Sequence, residues 1–174
     1  FCIKAPSAGG AFNSVTDISD VLSNIGGNDD TNANFTRRIL YLVESKCLCG
    51  DILYRDTIDK LLFRYVNDDI TEHQLALFFL NDVVRLYRTM CVDFENKIFD
   101  GGKAWGIRNI KLTFSRKMLY FGGVLIAAET AQKTPMQKRK AMAELINLSP
   151  LERIEKIFDG SEKKALSYYS SFLS

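Results

Sequence analysis

Two tetrapeptides constrain this chain most. Thr134-Pro135-Met136-Gln137 and Ser149-Pro150-Leu151-Glu152 each put a hydroxyl residue at an N-cap, proline at the first helical position and Gln or Glu at the third. In such a box the cap side chain and the third residue satisfy each other's orphan amides, and proline loses nothing by lacking an N–H there. Thr71-Glu72-His73-Gln74 has the same cap spacing without proline and predicts a third long helix running from there to about Ile98. Between these starts the apolar residues keep helical spacing. Phe35, Ile39, Leu42 and Val43 share one face of a helix ending near Ser45, and Leu53, Ile58, Leu61, Leu62 and Tyr65 share one over about 51–66. After Gly101-Gly102 a fourth long helix is expected over about 104–130, and a last one over about 161–172. The expected fold is all-α: a bundle of about six helices over 31–174. An irregular N-terminal arm (1–30) precedes it, carrying an extended Cys2-Ile3-Lys4 and a short helix near Ile18–Ile25.

Composition narrows the class. The chain has 174 residues, enough for a sizeable core, and 23 basic against 21 acidic residues give a net charge of +2. That balance argues against a non-specific nucleic-acid coat, although nucleic acid stays among the allowed partners. The longest apolar run, Val124-Leu125-Ile126-Ala127-Ala128, falls far short of the ~18 residues of a membrane span, so no membrane partner is expected. Four cysteines at irregular spacing and one histidine favour reduced, core-packed thiols over a zinc site, and with them a cytoplasmic location. Phe1 is not an initiator methionine and no leader-like segment follows, so a processed chain or the rear of a longer one is expected.

Charges occupy positions where a core should be. On a wheel of about 100° per residue with Leu75 at zero, Phe78, Phe79, Leu86 and Met90 cluster within about 60°. Asp82 falls at roughly 340° and Asp93 at roughly 0°. With Ile107 at zero, Lys111 lies at roughly 40° among Ile110, Phe114, Met118, Phe121 and Leu125. A lone buried charge costs several kcal/mol, whereas a paired one survives. The expectation is an interhelical network of Asp82, Asp93 and Lys111, joined by Arg85, Arg88 or Arg108. Three readings stay open: a structural polar network that fixes register, a phosphate-facing cleft built from Arg85, Arg88, Arg108, Lys111 and Arg116, and a carboxylate pair for acid–base chemistry. Arg37-Arg38, in a first helical turn where cations oppose the dipole, reads as a solvated face or a docking point for acidic partners. Gly26-Gly27 before Asn28-Asp29-Asp30-Thr31 reads as a helix cap, since two aspartates would repel phosphate.

Three blocks carry a family resemblance. Ile25-Gly26-Gly27-Asn28-Asp29-Asp30-Thr31-Asn32 with Thr36-Arg37-Arg38-Ile39-Leu40-Tyr41-Leu42-Val43-Glu44-Ser45, the segment Phe79–Lys97, and Lys103–Lys117 resemble, in order, bacterial nucleotidyltransferase-like proteins. Ser149–Arg153 is similar too. The resemblance implies a polymerase-β-type catalytic domain followed by a helical C-terminal domain. The superfamily's Gly-Ser turn and Asp-x-Asp pair are absent here: Gly160-Ser161 has no such pair after it, and Asp93-Phe94-Glu95 sits in a helix where the two side chains diverge. The implied role is an accessory helical domain, not catalytic alone and with no metal of its own. Mg²⁺ and a nucleoside triphosphate are expected only with the catalytic domain, in the same or an adjacent chain. Arg37, Arg38, Asn81, Asp82, Asp93, Glu95 and Lys97 join the candidate residues because they lie in these blocks. The alternative, from another class, is a non-catalytic protein-interaction module, self-association included.

Overall fold

The computed structural model describes residues 15–70, 74–100, 104–160 and 163–173, and all regular structure among them is helical. The elements are α1 (Ile18–Ser23), α2 (Asn32–Val43), α3 (Asp51–Tyr65), α4 (Leu77–Phe99), α5 (Trp105–Ile110), a π-helical segment (Lys111–Arg116), α6 (Lys117–Glu129), α7 (Pro135–Ile146), α8 (Pro150–Phe158) and α9 (Lys163–Leu173). The expected extended Cys2-Ile3-Lys4 and most of the Thr71 box lie outside the described residues. The described α4 begins later than that box implies, at Leu77, with Ala76 at the N-cap and no side-chain cap. The boxes at Thr134 and Ser149 close from both sides. Thr31 caps α2 by accepting from the Asn34 amide at 3.2 Å.

The core gathers α2, α3, α4, α6 and α7. Phe35, Ile39, Leu61, Leu62, Phe79, Ile126 and Met142 are wholly shielded from solvent, each contributing about 1.5–3 kcal/mol of burial. α4 and α6 pack closely at Gly123, where an added Cβ would stand 2.8 Å from a Val83 methyl. Lys138 is buried and donates to the carbonyls of Thr130 (3.1 Å), Ala131 and Lys133, closing the loop after α6. Residues 17–30 belong to this packing, with Val21 in the core and Asp30 buried. The boundary expected at 30/31 therefore runs through a packed region.

Two expectations are corrected here. The single helix over 104–130 is instead three segments. A π turn bonds i to i+5 and adds one residue, slipping the helix face by about 100°. The buried positions beyond it are Leu119, Gly122, Gly123, Leu125, Ile126 and Ala127, centred about 110° from Ile107 on the unbroken wheel. Ile107 and Ile110 are left 65% and 47% exposed, and Lys111 points to solvent with them. The three described thiols are not core-packed either: Cys47 and Cys91 are half-buried and Cys49 is exposed, all three free, and Cys2 lies outside the described residues. Leu48 between them is fully outside.

Candidate functional site

The buried polar centre is built on Arg38, from the middle of α2. Its guanidinium is wholly enclosed. Nη1 and Nη2 donate to the two oxygens of Asp30 at 3.1 and 2.8 Å, and Nη2 also reaches Asp82 Oδ2 at 2.9 Å. Nε donates to the Tyr65 hydroxyl at 2.6 Å, and that hydroxyl donates onward to Asp82 at 2.6 Å. Asp30 also accepts from the Gly26 amide at 3.1 Å, where Gly26 holds φ +72° with its Cα against the Phe78 ring. The Gly26–Thr31 turn, α2, α3 and α4 are thus joined through one guanidinium. Arg85 completes the group from α4. Its Nη1 lies 3.3 Å from Asp30 Oδ2, Nη2 donates to the Asp30 carbonyl at 3.2 Å, and its guanidinium carbon stands 3.9 Å from the Phe35 ring centroid.

Two arginines and two aspartates make the group neutral, and its chemistry is locked. Burial raises the Asp30 carboxyl, but Arg38, the Gly26 amide and the charge of Arg85 outweigh it, so Asp30 titrates below its usual 3.8. Burial and then the Asp82 charge push the Tyr65 phenol far above its usual 10. Burial works against the Arg38 charge, but Asp30, Tyr65 and Asp82 win and fix it further as a cation. Asp30, Tyr65 and Arg38 are thereby held away from proton exchange near neutral pH.

The expected trio of Asp82, Asp93 and Lys111 does not assemble. Asp82 is buried and paired, whereas Asp93 is exposed and, among the described residues, bonds Lys97 four residues along the same helix. The buried side of α4 drifts from Leu86 to Phe94, about 80° round. α2 and α6 face the helix, and the π segment touches it as well. Asp93 is left outside. Lys111 is turned out by the π segment. Arg88 is exposed, one turn beyond Arg85; Arg108 is half-buried on α5; Asn81 and Glu95 are exposed. Arg116 is exposed, 3.8 Å from Glu44. The expected solvated Arg37-Arg38 pair splits, with Arg37 half-buried and Arg38 the centre of the network. A wheel on α2 carries the signal: with Phe35 at zero, Arg38 falls at roughly 300°, inside the apolar face, and Arg37 at roughly 200°, outside it.

A second buried guanidinium has no signal in the sequence analysis. Arg153 of α8 donates from Nε to the Leu145 carbonyl (2.8 Å) and from Nη2 to the carbonyls of Val43 (2.8 Å) and Ile146 (3.0 Å). It thereby serves carbonyls at the C-terminal ends of α2 and α7. Desolvation brings it down to about 10. Its Nη1 is buried without a partner among the described residues.

Among the described residues no cluster of three or more His, Cys, Asp or Glu side chains is arranged to hold a metal ion, and no helix is long and apolar enough to cross a membrane. Compared with known proteins, the chain matches no family model, no curated protein and no solved structure.

Proposed function

We propose that this chain is a cytoplasmic helical accessory module of a nucleotidyltransferase-like protein. It would hold the phosphates of a nucleotide, or the acceptor, and leave bond-making to a catalytic domain with the Gly-Ser and Asp-x-Asp signature. The observation that carries this reading is the mounting of Arg85. Phe35 lies against the guanidinium face, Asp30 and Asn32 hold one edge, and the side chain is still 40% exposed. A fork held in this way loses little freedom when a phosphate meets its open edge. Arg88 lies on the same helix one turn on. The neutral group around Arg38 then acts as the frame that keeps α2, α4 and the Gly26–Thr31 turn in register behind Arg85.

The test is a thermal titration of the chain, and of the chain joined to its upstream domain, with ATP and Mg²⁺. Stabilisation that rises with ATP and is lost in Arg85→Ala/Arg88→Ala supports the reading. No shift in the joined protein, together with no transfer of labelled nucleotide, refutes it.

A second reading, a protein-interaction module, has its own observation. Val92 and Phe99 on α4, and Trp105, Ile107 and Ile110 on α5, are 47–90% exposed, more apolar surface than a solvated helix end needs. Ile107→Glu would abolish a complex formed through this surface and leave ATP binding intact.

A further inference from the structure

A cleft of about 320 Å³ opens where the end of α2, the start of α6, the α7–α8 turn and α9 meet. Its walls are apolar at Met118, Leu119, Leu148 and Pro150, with hydroxyls from Ser45 and Ser115 and the Arg153 side chain in the lining. The size is at the small end of organic-ligand sites, which share this design of apolar walls and few polar groups.

Arg153 makes this cleft more than a packing gap. It is 1% exposed, and its three hydrogen bonds all go to backbone carbonyls. None goes to a carboxylate, unlike those of Arg38, which meets two. Its Nη1 is the buried side-chain nitrogen without a partner among the described residues. Gly122 packs closely on it from α6, an added Cβ standing 3.3 Å from Nη1. Buried donors without partners are rare and call for a missing acceptor. The charged lining residues are Arg153, Lys46 and Glu44, so one negative charge balances the site.

We propose that the cleft beside Arg153 binds a small organic monoacid, its apolar body against Leu119, Leu148 and Pro150 and its carboxylate drawn to Arg153. Phosphate lacks the apolar body and carries more charge than the lining offsets. This site is separate from Arg85 and does not depend on the nucleotide reading.

Hexanoate is the probe, with hexanol matching its tail and inorganic phosphate its charge without a tail. On the whole chain, hexanoate about tenfold above its Kd should raise Tm by about 3–6 °C, with much smaller shifts from the other two. Leu151→Trp, which fills the cleft and spares the buried charge, should cancel the hexanoate shift. Arg153→Met should cancel it too; if that variant does not fold, Leu151→Trp decides alone. Equal shifts from hexanol and hexanoate, no shift from hexanoate, or a hexanoate shift surviving Leu151→Trp would overturn the proposal. An ATP titration run alongside separates its failure from that of the Arg85 reading.

Discussion

Arg38→Met is the most demanding perturbation of this fold. The substitution keeps the length and apolar stem of the side chain but removes four hydrogen bonds, two to Asp30 and one each to Asp82 and Tyr65. The two carboxylates stay behind with side chains 1% and 7% exposed. Asp30 retains the Gly26 amide and Arg85, while among the described residues Asp82 retains the Tyr65 hydroxyl alone. Two like charges that shared one nitrogen then face each other without it. Removing one partner of a buried pair costs about 3–5 kcal/mol, which for a chain this size lowers Tm by about 6–20 °C. Urea unfolding at neutral pH, extrapolated linearly, measures the loss. A double-mutant cycle with Asp82→Leu separates pairing from packing and should give a coupling of about 2 kcal/mol or more. A loss under about 1 kcal/mol, or additive single changes, would refute the claim that these charges depend on one another. Replacing Asp30, Arg38 and Asp82 together by Asn, Met and Leu should recover much of the loss, because the desolvation penalty leaves with the charges.

Other outcomes follow from the same geometry. Asp30 titrates lower in the folded chain than its usual 3.8, so its stabilisation is complete above that value and drains away as pH falls through the folded value. The stability gap between the native chain and Asp30→Asn should be constant near neutrality and shrink in acid, as read by urea midpoints across pH. Gly123→Ala should cost about 1–3 kcal/mol by forcing α6 off Val83, measured as a drop in urea midpoint with unchanged slope. Lys138→Met strands the carbonyls of Thr130, Ala131 and Lys133 and should cost about 2–4 kcal/mol. Hydrogen exchange should quicken first around 130–134. Ser149→Ala removes the α8 cap and should cost about 1 kcal/mol in the same assay.

The helical class was legible because it rests on local rules. The proline boxes at Thr134 and Ser149 satisfy their own amides whatever surrounds them, and the spacing of Phe35, Ile39 and Leu42 places them on one face before any partner is known. Asp82 was legible for the same reason, as a charge on the midline of an apolar stripe. Its partners were not. Arg38 lies 44 positions away and Asp30 sits in a turn that reads as a cap, so the pairing depends on how α2 crosses α4. Tyr65 reads as one more apolar residue of α3, and its hydroxyl gains meaning only beside Arg38. The π segment defeated the wheel outright, since a regular period cannot signal its own interruption. Arg153 was hidden because its acceptors are main-chain carbonyls at two helix ends, which leave no mark in residue types.

That extra residue between Lys111 and Arg116 acts as a gearbox between two halves of one rod. Excising a single position there would spin α5 by about a quarter turn, swinging Trp105 and Ile107 toward new neighbours while α6 kept its seat on α4. The chain thus keeps an oily flank on display by counting one residue too many, and the display is governed by the register of the turn as much as by the side chains that form it.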